Sequence, residues 1–354
     1  MLKNCIKFII HIIWLCVVIT FCWPLPVSSS KLRVLVFKLL IICSDNFVIS
    51  SKTFCLSICI SQHPIQSFMY VVNYGSLQRI VDEMVVCFKE ARQYERDIFS
   101  KYIAKCNVFY GGTLIFVYIT GLVFVMGPVA LPIDYPLECE YPFRVNYTSI
   151  IIFIYFHQSF VCFQCAAHVC LSAFGAFLLW FTAARFECLA MEFQNSSNID
   201  TLIVCIKKQL HLRRYAEQVV NCLRFLVLYA ISVGTCALTL CGIIMIVNSP
   251  QVVKTQFITI SVTMLIQVYM FAWPADYMKE WSINVSRSVY DGKWYKQSLK
   301  LQKMFLNVML YQKPITLSIS CLLEELSLRY YCSYVSNAFS IFTALRVVVE
   351  NKSE

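Results

Sequence analysis

Catalysis needs titratable or nucleophilic side chains held close together, and in this sequence they are scattered. The five histidines stand at 11, 63, 157, 168 and 211, none of them at the short spacing of a metal motif. His157 and His168 share a helix face only roughly, and two histidines do not complete a metal site. Nineteen cysteines are present, yet no two CxxC units stand at zinc-site spacing; Cys162 and Cys165 form a lone one. Most thiols, Cys205, Cys236 and Cys241 among them, sit inside apolar stretches and read as small hydrophobes. Cys139 differs in lying in a polar loop, with no partner that the sequence names. Neither a Gly-rich phosphate loop nor a GxSxG elbow occurs. No catalytic residue, metal site or cofactor is expected, and so no enzyme.

What the chain carries in abundance is apolar length. Of its 354 residues 59% are apolar and 14% charged, and mean hydropathy is +0.65; a soluble domain has about 25% charged residues. A soluble chain would have to bury that surplus, whereas a membrane protein can leave it facing lipid. The formal charge is +10, but the basic residues are mixed with acids in loops between apolar stretches. That placement fits the cytoplasmic loops of a membrane protein and not a nucleic-acid surface.

About 20 apolar residues cross a bilayer, and on that rule the chain reads as seven transmembrane helices with long amphipathic extensions. Residues 1–33 form an amino-terminal segment whose apolar part, 8–23, is short and followed by Pro24 and Pro26. The region 34–75 reads as two spans joined near Ser50–Lys52, and 76–105 as an amphipathic helix outside the hydrocarbon core. The third span covers 106–128, followed by the proline-rich polar loop 129–149. A fourth covers 150–184, a fifth 223–247 after the amphipathic stretch 185–222, and a sixth 256–275. Residues 276–321 form a polar, largely helical segment. The last helix, 322–348, is weakly apolar because Glu324, Glu325 and Arg329 crowd its start; Glu325 and Arg329 are spaced to pair on a helix surface. A short tail, 349–354, closes the chain.

Charge sets the expected orientation. The segments 76–105, 185–224 and 276–314 hold nineteen Lys and Arg, against only Arg144 and Lys254 in the loops 129–149 and 248–255. The positive-inside rule puts the amino end in the cytoplasm and the carboxyl end outside. Of four Asn-x-Ser/Thr triplets, at Asn146, Asn195, Asn284 and Asn351, only Asn146 and Asn351 then face outward as glycosylation candidates. This orientation is opposite to that of G-protein-coupled receptors.

Short patterns follow in order near the carboxyl end. Ser282, Val285, Tyr290 and Trp294 lie in EWSINVSRSVYDGKWY; Gln312, Lys313 and Pro314 form a Gln-Lys-Pro; Ser340, Phe342, Thr343 and Leu345 form a Ser-x-Phe-Thr-x-Leu ending. In their order and position this chain resembles the insect odorant receptor family. Trp23–Pro24, Leu131–Pro132 and Tyr135–Pro136 extend the likeness towards the amino end. Asn337–Ala338 departs from the family pattern, which has Ser or Tyr there, and the chain is shorter than the family's usual length.

The resemblance implies a ligand-gated, non-selective cation channel of four subunits in the plasma membrane of an olfactory sensory neuron dendrite. This chain would be the odour-tuning subunit of a heterotetramer with the family's co-receptor, passing monovalent and divalent cations. Its last helix would line the pore, with hydrophobic gate positions at Ile341 and Leu345. Ala344 stands where the co-receptor has glutamine, which fits a tuning subunit. A small, volatile, apolar ligand would bind among helices two, three, four and six, with Phe116, Tyr118, Tyr155, Phe156, His157 and Phe257 as candidate contacts. The alternatives are a gustatory-type channel of the same superfamily, whose terminal motif is absent, and a small-molecule transporter, for which no internal repeat stands out.

Overall fold

The computed structural model describes residues 47–130, 135–136, 147–196, 198–246, 250–291, 294–296, 298–310, 313–318, 323 and 325–353. The segment 8–23, Cys139, Asn146 and Gln312 lie outside them. Among the described residues nine α-helices follow in order: α1 (Phe47–Val72), α2 (Tyr74–Glu90), α3 (Gln93–Cys106), α4 (Gly112–Ala130), α5 (Thr148–Gln194), α6 (Ile199–Ile246), α7 (Gln251–Asp291), α8 (Leu299–Leu310) and α9 (Leu328–Ser353). A π-helical turn, Asn107–Gly111, joins α3 to α4 without a break.

By length and composition, four stretches among the described residues can cross a bilayer: Gln93–Ala130, α5, α6 and α7. At 1.5 Å per residue, α5 to α7 are each about 60–70 Å long, roughly twice the ~30 Å of hydrocarbon. Span and amphipathic extension are therefore one helix in each case. α5 sits at the centre and packs against α1, α3, α4, α6 and α7. Its middle, from Leu171 to Ala190, is buried nearly all round.

At the end where α7 finishes, here termed the anchor end, α2 and α3 fold back onto the long helices. α2 buries Leu77, Ile80, Val81 and Met84, an i, i+3, i+4, i+7 stripe that makes one face of a helix apolar. The expected single helix 76–105 is broken at Ala91–Arg92. There the Arg92 N–H donates to Glu95 Oε2 at 2.6 Å, half of the reciprocal pattern that starts a new helix. Conversely, α1 runs straight through Ser50–Lys52, where a connection was expected. No Gly or Pro stands there, and Ser and Lys are tolerated in helices.

The last helix also begins later than expected. Because α9 starts at Leu328, Glu325 precedes it and is not i,i+4 to Arg329 on one helix. Glu325 instead meets Lys279 of α7 at 2.6 Å, while Arg329 is exposed. Asn351 falls in the final turn of α9, which extends through the expected tail.

Pro274 interrupts the hydrogen bonding of α7 without stopping the helix. Proline has no N–H for the carbonyl four residues earlier, which is that of Met270. Tyr110, in the π-helical turn, supplies the missing donor: its Oη donates to Met270 O at 2.8 Å and accepts from Trp180 Nε1 at 3.0 Å. The extra residue of a π-turn rotates the side chains that follow, and here Tyr110 is turned into the core.

Candidate functional site

Away from the anchor end, α1, α4, α5 and α7 do not close completely on one another. They leave a cavity of about 110 Å³ walled by Leu56, Cys59 and Ile60 of α1, Val117, Thr120, Gly121 and Phe124 of α4, Val161, Cys162, Cys165, Ala166 and His168 of α5, and Thr259, Ile260, Thr263 and Met264 of α7. That volume holds several waters or one small organic molecule. Small side chains make it possible. A Cβ placed on Gly121 would meet nothing nearer than Cys162 O at 3.8 Å. The lining is apolar with a few hydroxyls and thiols and one imidazole, the chemistry of a small-molecule pocket. It contains no charge, so electrostatic selection of an ionic ligand is not built in.

None of the six aromatic and histidine candidates lines this cavity. Phe116, Tyr118 and Phe156 are exposed on the bundle surface, although Tyr118 lies 3.5 Å from Cys170 Sγ. Tyr155 is half-buried and donates to Val125 O at 2.8 Å, while His157 stacks near Phe153. Phe257 is fully buried in an adjoining cluster with Cys55, Ala237 and Cys241, which shares Cys59 and Met264 with the cavity wall. All six stand on α4, α5 or α7, which wall the cavity, and none is among its lining residues. Phe124 was reachable from sequence, being two turns along α4 from Phe116, but nothing in the sequence fixes the rotation of α4 that turns Phe124 inward.

On the anchor side the lining ends at His168. His168 is buried, as are Gln62, His63, Gln66, Ser67, Ser172 and Gln267. Below that layer Tyr70 Oη donates to Leu171 O at 2.9 Å and the packing becomes tight. A Cβ on Gly175 would lie 2.9 Å from Tyr70 Oη and 3.1 Å from both Leu223 and Phe271.

α9 packs with one face only. Tyr334 reaches the space beside Gly234, Phe342 that beside Gly242, and Tyr331 meets Tyr269 with ring centroids 5.2 Å apart. The other face bares Ser336, Asn337, Phe339, Ser340, Ile341, Thr343, Ala344 and Val347. Ile341 and Ala344 thus lie on the bare face, and Leu345, half-buried, at its edge. The hydroxyls of the terminal motif turn back on their own helix, Ser340 to Ser336 O at 3.0 Å and Thr343 to Ser340 O at 2.9 Å.

The earlier motif residues hold the anchor together. Ser282 is buried; its Oγ donates to Lys279 O at 2.6 Å and accepts from Ile315 N–H at 3.0 Å. It thereby pins the strand-like segment that follows Lys313 and Pro314 onto α7. The carbonyl of Lys313 accepts from Arg213 of α6, while the Lys313 and Pro314 side chains are exposed. Tyr290 and Trp294 lie 6.3 Å apart. Glu187 accepts from Tyr102 at 2.6 Å, Glu192 from Tyr94 and Lys208, and Arg185 pairs with Glu83 at 2.7 Å. Burial pushes the Cys87 thiol of α2 up against the opposing pull of Arg185, so it stays an un-ionised hydrophobe.

Span-length helices, an apolar cavity walled by four of them and a last helix with one bare face define the architecture of a multi-span membrane protein. The family model described as 7tm Odorant receptor matches residues 46–339, and the chain belongs to that family. Among solved structures it is similar to the insect olfactory receptor OR5 from Machilis hrabei, with TM-score 0.78 and 15% identity, covering 97% of this chain and 98% of that one. The same receptor in complex with eugenol matches with TM-score 0.77 at the same identity and coverage. No curated protein matches the chain. The fold is therefore the seven-transmembrane fold of that family, and α1, α3–α4, α5, α6, α7 and α9 are its described long helices.

Proposed function

We propose that this chain is the odour-tuning subunit of a heteromeric, ligand-gated, non-selective cation channel. The cavity between α1, α4, α5 and α7 carries the reading, because it is walled by four helices, apolar and sized for one small volatile molecule. The similar receptor from Machilis hrabei is described in complex with eugenol, a small and largely apolar compound, which supports a ligand of that size here. The partner is the family's co-receptor in a heterotetramer at the plasma membrane of a sensory dendrite. Basic residues gather at the anchor end, which supports a cytoplasmic anchor, an amino end inside and a carboxyl end outside.

In this reading the bare face of α9 lines the pore. Ile341 and Leu345, one turn apart, close it by dewetting, and Ala344 lies beside them. Asn146 and Asn351 are then outside, where a glycan can be added. Whole-cell current from cells expressing the chain alone, then with an insect co-receptor, tests this. Odour-evoked cation current is expected only in the paired cells. In them, Leu345→Ala should raise the current that flows without ligand. Current from the chain alone would instead favour a homomeric, gustatory-type channel. Ligand uptake without current would favour a transporter.

A further inference from the structure

Besides aliphatic carbon, the cavity wall is rich in sulfur. Sulfur-bearing side chains come from three of its four helices: Cys59 from α1, Cys162 and Cys165 from α5, and Met264 from α7. The fourth helix, α4, contributes the ring of Phe124. Cys59, Cys162 and Met264 are buried and Cys165 is half-buried. Met264 Sδ also accepts from Gln62 Nε2 at 3.6 Å, which holds a flexible thioether in place beside the cavity. The three threonines of the wall turn their hydroxyl hydrogens back to their own helices. Thr120 donates to Phe116 O at 2.8 Å, and Thr259 and Thr263 donate to Thr255 O and Thr259 O, both at 2.9 Å. Those hydrogens are therefore not offered to a carbonyl or ether oxygen on a ligand, and discrimination falls on the body of the molecule.

Sulfur is soft and polarisable, and it gains most against a π-system, lying about 5 Å from the ring, often at its edge. A cavity of this order takes one benzene-sized ring. Such a ring has sulfur-bearing side chains on three sides and Phe124 on the fourth, where an edge-to-face contact adds to the burial. A saturated ring of the same shape keeps the aliphatic contacts and loses those with sulfur and with Phe124. We propose that this cavity selects small benzenoid molecules over saturated molecules of the same size and shape, with Cys59, Cys165 and Met264 as specificity-determining residues. The selectivity rests on the receptor reading above for its physiological meaning.

The test compares fluorobenzene with fluorocyclohexane. The purified full-length chain in lipid nanodiscs is titrated with each probe and followed by fluorine NMR, with empty nanodiscs correcting for uptake by lipid. The quantity read is the ratio of the two dissociation constants in each variant against that ratio in the wild type, so that the differing hydrophobicity of the probes cancels. Met264→Leu, Cys59→Ala and Cys165→Ala should each lower the preference for the aromatic probe by about twofold to tenfold. Leu56→Met, which adds a sulfur to the wall, should raise it, and this variant keeps the test decisive if one of the others fails to fold. An unchanged ratio in all the folded variants would show the thiols and the thioether to be plain hydrophobic filling and overturn the proposal. Failure of both probes to bind the wild type would overturn it as well. In cells co-expressing the co-receptor, anisole should evoke current at lower concentration than methoxycyclohexane. Selective binding in nanodiscs without current from any volatile would sink the receptor reading and leave the aromatic-selective site standing.

Discussion

Two glycines divide this molecule. Around Gly175 the helices α1, α5, α6 and α7 meet so closely that a single added carbon would strike three side chains; around Gly121 it would meet one carbonyl at ordinary contact distance. The first belongs to the anchor side, where Glu187, Glu192, Arg185, Ser282 and Tyr102 all have partners. The second belongs to the cavity. Tight packing with satisfied polar groups makes a region rigid. A region with free volume has room for a small molecule. The same chain is therefore close-packed at one level and open at another.

Substitutions can break or sharpen that division. The largest expected effect is at Trp180, buried between Tyr102, Trp273 and Tyr277 and hydrogen-bonded to Tyr110. Trp180→Ala should destabilise by about 3–5 kcal/mol, read as a large fall in melting temperature in detergent or as lost surface expression. Gly175→Ala should follow at about 1–3 kcal/mol from overpacking. A melting temperature at or above that of the wild type would show the four-helix crossing to be softer than its distances suggest. Ser282→Ala leaves the buried Ile315 N–H without its acceptor and should destabilise by roughly 1–3 kcal/mol, towards the low end if the segment after Pro314 can shift. Limited proteolysis near residues 313–318 would report that shift. Smallest for the fold is Gly121→Ala, which should stabilise by about 0.5–1 kcal/mol, since Ala replaces Gly inside a helix. It should nevertheless weaken the response to ligand, because its methyl group points into free volume. Stability and response moving in opposite directions at Gly121, and together at Gly175, is the signature that separates the two levels.

Much of the architecture was legible because apolar length is a one-dimensional property. The long runs in α4 to α7 announce themselves, and the order of Ser282, Gln312–Pro314 and Ser340–Leu345 pointed to the family. The joints were harder to see. Ala91–Arg92 breaks a helix without Gly or Pro, betrayed only by Glu95 three residues on. Ser50–Lys52 looked like a joint because of its polarity, yet polarity alone does not stop a helix. The cavity was the least legible feature. Phe116, Tyr118, Phe156 and Phe257 stand out in the sequence as aromatic residues, whereas this cavity opens where side chains are small. Gly121, Thr120, Ala166 and Cys162 become informative only once the rotation of each helix about its axis is known. The buried polar layer could have been found earlier. Gln62, His63, Gln66 and Ser67 fall on neighbouring positions of one predicted span, where unpaired polar groups are expensive.

Tyr110 and Pro274 together make one main-chain hydrogen bond in two pieces, the acceptor in one helix and the donor borrowed from another. Neither position is then free to change independently. Restoring an N–H at 274 would return Met270 O to its own helix and leave the tyrosine hydroxyl only the bond it accepts from Trp180. Removing the hydroxyl while proline remains would orphan the carbonyl. Residues far apart in the sequence are thus tied: after loss of the hydroxyl at 110, a change at 274 that restores an N–H repairs the Met270 carbonyl and leaves only the Trp180 indole N–H without its acceptor.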